Sequence, residues 1–296
     1  MSTLFIKGTV IGYDYEKWQN DPDSLATWLI CMVETWHMAQ FSATGEFLID
    51  HPDEVKKKYG EVRGAIQAFT NDIHSLSVCY HQMLYVLNDP TPEVGLKTLY
   101  LSNLVESYIT NVRTIYDLMA VFARIVVSTE YLKLRAVSTD SLSDLLKTFE
   151  NKHKWSIEIF SEPVVSVFKS MRGSLNMIRE IRNSIIHDGK EPIVTIKQGV
   201  AYFRIPKTIN SPYETSLPDL LDLNTPDYPL FPYLQHVTRT LFTHMDNLGR
   251  IIGNDAHLKD NDYRCELPVL IGICIPEFME FIHKDYNELA TETPTD

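Results

Sequence analysis

Residues 101–126 read LSNLVESYITNVRTIYDLMAVFARIV. Leu101, Leu104, Tyr108, Val112, Ile115, Met119, Phe122 and Val126 recur at steps of three and four. That rhythm places the apolar side chains on one stripe of an α-helix and holds it there over the whole segment. A helix that is apolar along its full length packs along its full length, as the helices of a bundle do. The spacing predicts a helix from Pro92-Glu93 to about Val127, and with it an all-α fold.

The flanking sequence extends the same reading. Residues 24–49 present a broad apolar face, with Ser24 suited to cap the first turn. Pro52 fits the first turn of a second helix, with Asp53 and Glu54 near its positive end. That helix runs to about Leu87, where Asn88, Asp89 and Pro90 end it. A shorter helix is expected at about 140–150, for which Ser138, Thr139 and Asp140 are all candidate caps. Val164, Val165, Val167, Phe168, Met171, Leu175, Ile178, Ile181, Ile185 and Ile186 predict one helix over 162–188, closed by Gly189.

Two β-branched and aromatic runs then flank Lys197-Gln198-Gly199, the pattern of a β-hairpin. Six prolines fall between 206 and 232 and argue against regular structure there. Helices resume over about 232–252 and from Pro276 to about Leu289. The reading is one domain over 1–296: a core bundle at 16–190, a hairpin at 191–206, a Pro-rich loop at 207–231, C-terminal helices at 232–290 and a tail at 291–296.

Composition excludes several function classes. The chain has 12 glycines, and neither GxGxxG nor GxxxxGK[ST] occurs, which removes the usual phosphate cradles. Cys31, Cys79, Cys265 and Cys274 form no CxxC pair and read as reduced, mostly buried thiols. Neither a cofactor nor a metal is expected. His37, His74 and His81 form the one three-histidine possibility, but no HExxH or carboxylate pair completes a site, and ordinary boundary histidines are favoured.

The N-terminus lacks a signal-peptide pattern. The longest apolar run, PVLIGICIP at 268–276, is far short of the ~20 residues of a membrane span. A soluble, cytoplasmic protein with no membrane partner is expected. Tyr202, Phe203, Tyr213, Tyr228, Phe231 and Tyr233 could stack bases, although packing is the favoured reading. The segments DPD at 21–23 and DLLDLN at 219–224 read as caps and loop.

The formal charge is −12. Yet residues 169–207 carry eight basic side chains against Glu180, Asp188 and Glu191. A positive region inside an acidic chain is a place for a phosphate ligand, and it surrounds the stretch IRNSIIHDG at 181–189. At about 100° per residue, Arg182, Asn183 and His187 share one arc of the helix, opposite Ile178, Ile181 and Ile185. Asn183 and His187 are one turn apart. His187 lies in the last turn, where the helix end favours the imidazolium. An imidazole can move a proton to or from a hydroxyl, and a guanidinium can hold a phosphate and the charge that builds on it.

Arg182-Asn183-x-x-x-His187 at the end of a bundle helix resembles the R-x4-6-H motif of the HEPN superfamily, in which a polar residue follows the arginine. The match covers the motif and the preceding helices, about 90–190. The resemblance implies an α-helical bundle, commonly a homodimer, from a group with many RNases of toxin–antitoxin, CRISPR and phage-defence systems. On that basis the expectation is a metal-independent endoribonuclease with Arg182, His187 and Asn183 as catalytic residues, Arg179 and Lys190 as substrate-binding residues, and RNA, a second copy or an antitoxin as partners. Asp117 is the candidate to orient Arg182 or Asn183, with Arg113 beside it at i−4. Arg239 to His244 and Arg250 to His257 also fit the spacing but lack the asparagine and the helix-end setting. The competing expectation is a non-catalytic helical binding or scaffolding protein whose 206–232 loop engages a ligand.

Overall fold

The computed structural model describes Leu29 and residues 53–127, 139–188, 194–204, 227–255 and 276–284. These form a mainly helical protein with one small antiparallel sheet. In chain order the helices are α1 (Asp53–Asn88), α2 (Val94–Phe122), α3 (Leu142–Asn151), α4 (His153–Phe160), α5 (Glu162–Ser170), α6 (Arg172–Asp188), α7 (Leu230–Asp255) and α8 (Pro276–His283). A 3-10 turn, Ala123–Ile125, follows α2. The strands are β1 (Val194–Lys197), β2 (Val200–Arg204) and β3 (Asp227–Pro229). Of the helix expected at 24–49 only Leu29 is described; it is helical and fully buried.

The chain divides into two compact units. The first comprises Met1–Asp72, Thr114–Arg172 and Phe242–Ile273, and the second Ile73–Arg113, Gly173–Leu241 and Cys274–Asp296. In the first unit Phe69 meets Phe122 edge to face at 5.2 Å, and Phe149 packs the same way on Phe160 at 5.3 Å. Ser141 starts α3: its hydroxyl accepts the Asp144 N–H at 3.1 Å and donates to the Asp144 carboxylate at 3.0 Å. Ser141 is thus the N-cap, and the Asp144 carboxylate holds its hydroxyl in place. The cap therefore falls one residue past Asp140, the last of the three expected positions.

The helix expected over 162–188 is two helices. The Met171 N–H donates to Phe168 O at 3.1 Å, a tightened turn that ends α5, and Gly173 then opens α6 with a residue of low helix propensity. The short helix α4 was not foreseen. It is set off from α5 by Ser161, whose φ of 66° and ψ of 155° no helix accommodates.

In the second unit the hairpin turns on Gln198 and Gly199, with φ of 52° and 80°, as a two-residue type I′ loop requires. Val194 pairs with Phe203, and Phe203 with Tyr228, so one row crosses all three strands. All three side chains are buried. The strand β3 corrects the expectation of an irregular 207–231: Pro229 is accommodated because β3 is an edge strand, where a missing N–H removes no inner ladder bond. The remainder of that Pro-rich segment lies outside the described residues. Tyr80 stacks on Phe281 at 4.3 Å and meets Phe231 at 5.8 Å, joining α1, α7 and α8.

Gln235 is fully buried on α7 and closes α8: its amide Nε2 donates to Phe281 O at 2.6 Å and to Lys284 O at 2.8 Å. Its Oε1 is buried without a hydrogen-bond partner among the described residues, which offsets part of the gain. Gln235→Ala should lower unfolding free energy by about 1–2 kcal/mol in a urea titration. Gln235→Glu sets a carboxylate against two carbonyl oxygens and should cost more; wild-type stability for the Glu variant would contradict this role.

Candidate functional site

Helix α6 carries the motif, and its two faces differ sharply. Leu175, Met177, Ile178 and Ile181 are buried. Arg179, Arg182 and Asn183 are exposed. Arg179 stands one turn before Arg182 and Asn183, at i−3 and i−4, so the three side chains form one continuous polar surface. This is the arrangement the helical phase dictates: once Ile178 and Ile181 are drawn inward, positions 179, 182 and 183 are turned to water.

The backbone of α6 continues to Asp188. Position 187 therefore lies one turn beyond Asn183 on the same face, in the last turn of the helix. The imidazole of His187 and all of Lys190 lie outside the described residues. Among the described residues no ion pair is made by Arg182 or Arg179, and both are exposed. Glu180, between them in sequence, is half-buried, and its Oε2 is enclosed without a hydrogen-bond partner among the described residues. From the sequence Glu180 is a candidate partner for Arg182; among the described residues no ion pair joins them.

Asp117 belongs to the first unit, whereas Arg113, Arg179, Arg182 and Asn183 belong to the second. The Asp117 Oδ1 accepts the Leu142 N–H at 2.9 Å. It thus satisfies an otherwise unpaired donor in the first turn of α3, alongside Ser141. Arg113 is half-buried.

The other spacing matches resolve as structure. His244 is largely enclosed, its Nδ1 lies 2.9 Å from the Tyr116 hydroxyl, and burial lowers its pKa to about 4. It is a neutral core histidine at physiological pH. Arg250 pairs with Asp246 at 2.8 Å, and His257 lies outside the described residues. Phe203 stacks on Tyr233 at 4.9 Å, with Tyr228 edge-on at 5.7 Å, so these aromatic rings are core and not a base platform. Tyr213 lies outside the described residues. Cys79 is buried, which raises its thiol pKa.

His74 and His81 are both exposed on α1, and His37 lies outside the described residues. Among the described residues no group of three or more His, Cys, Asp or Glu is arranged to hold a metal. No described helix is long and apolar enough to cross a membrane. Comparison of the chain with protein-family models, with curated proteins and with solved structures finds no match.

Proposed function

We propose that the chain is a HEPN-like, metal-independent endoribonuclease acting through Arg182, Asn183 and His187, of the kind found in toxin–antitoxin and defence systems. The observation that carries this reading is the exposure of Arg179, Arg182 and Asn183 together on the outer face of a helix whose inner face is packed. A buried guanidinium in a closed ion pair would have spoken for a structural arginine.

In this reading Arg182 and Arg179 hold the scissile phosphate by forked donation to its non-bridging oxygens. His187 accepts the proton of the 2′-hydroxyl, O2′ bonds to phosphorus and the P–O5′ bond breaks. The 5′-oxygen leaves with a proton from water, and a 2′,3′-cyclic phosphate remains. Asn183, one turn before His187, orients the imidazole through its amide. Lys190 adds to the potential that draws in RNA. A second copy of α6, facing the first, would complete the site across a two-fold axis.

The reading requires a 2′-hydroxyl and no metal. Purified protein in excess EDTA should cleave single-stranded RNA and leave DNA of the same sequence intact. Cleavage of both polymers, or of RNA only after Mg2+ is added, would reject it.

A further inference from the structure

Every large apolar side chain that is exposed among the described residues lies in one place. These are Tyr85, Val94, Leu96, Leu99 and Tyr100, at 43–70% exposure, where α1 ends and α2 begins. They belong to the second unit. Between the two helices runs an open cleft of about 380 Å3, lined by His81, Tyr85, Val86, Tyr100, Asn103 and Leu104 among others. The seam of α2 explains its origin. Leu101 and Tyr108 are fully buried, but Leu104 is half-exposed, so among the described residues the helix carries more apolar surface at this end than is covered. A contiguous exposed apolar patch of this kind marks an interaction site.

The surroundings select the occupant. Leu96 and Leu99 extend the apolar surface beyond the cleft lining, which is more than a small ligand would cover. Four residues between 81 and 106 carry full charges, and Asp89, Glu93 and Glu106 are acidic. The fourth, Lys97, is turned onto the Leu87 carbonyl at 3.1 Å, at the negative end of α1. With no free cation in the lining, a polyphosphate backbone has nothing to bind. A second copy would bring the same three acidic residues, on a chain of net charge −12, toward these.

We infer that this cleft docks an amphipathic helix of a partner protein, apolar on the face laid between α1 and α2 and bearing Lys or Arg on its flanks. The exposed stretch from Leu96 to Leu104 is about 12 Å long at 1.5 Å per residue, which a helix of two to three turns spans. Tyr85 and Tyr100 would be the anchors, large rings that keep a hydroxyl in water at the rim. The inference is independent of the ribonuclease reading, since none of these residues belongs to α6.

The test uses the full chain and two labelled helical peptides, one with leucine along one face and lysine elsewhere, the other with glutamate in place of lysine. Fluorescence anisotropy at about 0.15 M salt limits long-range attraction. The lysine peptide should bind at least about tenfold tighter than the glutamate peptide. The variant Tyr85→Ser with Leu99→Ser should lose at least about tenfold of that binding at an unchanged melting temperature, since both side chains are exposed. Glu93→Lys with Glu106→Lys should narrow the preference between the peptides. Equal binding by wild type and the double serine variant would overturn the inference, as would equal binding of the two peptides. Sedimentation of the chain alone as a dimer that Leu99→Ser dissociates would assign the surface to a second copy and overturn it too.

Discussion

Arg182→Ala should lower RNA cleavage by about 10²–10³-fold while leaving stability within about 0.5 kcal/mol of wild type. The two halves of that expectation come from different facts. The guanidinium is exposed and no described residue pairs with it, so its removal disturbs no packing. If it holds the phosphate, its removal takes away charge stabilisation that is largest in the transition state, where the non-bridging oxygens gain negative charge. Arg182→Lys should recover only part of the loss, because a point charge cannot donate two parallel hydrogen bonds. His187→Ala should lower cleavage by about 10²–10⁴-fold, the usual range for a general base, and should flatten the pH–rate profile as well. Full activity of either alanine variant would remove that residue from the mechanism.

The second large effect is on stability and its dependence on pH. His244 packs beside Tyr116, with ring centroids 5.9 Å apart, and burial lowers its pKa from 6.5 to about 4. The folded protein therefore favours the neutral imidazole. Between pH 6.5 and 4 the unfolded chain binds a proton here that the folded chain refuses, so stability falls as pH drops through this window. The full difference corresponds to roughly 3 kcal/mol. Above pH 6.5 the group is neutral in both states and contributes no slope.

Asp72 acts in the opposite sense. Its carboxyl is partly buried, its Oδ2 has no hydrogen-bond partner among the described residues, and desolvation raises its pKa. It becomes easier to accommodate as it is protonated in acid. The comparison that isolates His244 is therefore wild type against His244→Gln, by urea unfolding at pH 7, 6, 5 and 4.5. The variant should be less sensitive to acid across this range. Parallel curves would show that His244 is not held neutral by the fold.

Much of the helical fold follows from periodicity alone, because burying one stripe of a long helix is nearly the only use for such a pattern. The limits of α1 and α2 follow from Pro52 and from Asn88 to Pro92, residues with unambiguous local preferences. What the chain did not disclose depends on partners distant in sequence. Gln235 looks like an ordinary polar residue on an amphipathic helix; its meaning lies in carbonyls 46 and 49 residues away. The start of α3 is settled by a reciprocal bond between Ser141 and Asp144, not by the richness of cap residues before it. The edge position that admits Pro229 is a property of the sheet, invisible in a run of six prolines.

At the candidate site the outward aim of Arg179, Arg182 and Asn183 was legible, since helical phase fixes it once the isoleucines are buried. The hydrogen bond from Leu142 to Asp117 was not legible, because it links helices 25 residues apart in the chain. Nor was the cleft between α1 and α2. Tyr100 and Leu104 read as members or neighbours of the apolar seam, and only packing shows that the seam outruns its cover.

The central question is whether the outer face of α6 breaks an RNA strand through the RNA's own 2′-hydroxyl. The most direct measurement is the chemistry of the product ends after cleavage of a defined RNA by purified protein in EDTA. Cleavage at α6 should leave 2′,3′-cyclic phosphate and 5′-hydroxyl ends, absent from reactions with Arg182→Ala. Ends bearing 3′-hydroxyl and 5′-phosphate, or cyclic ends formed equally by the variant, would contradict it.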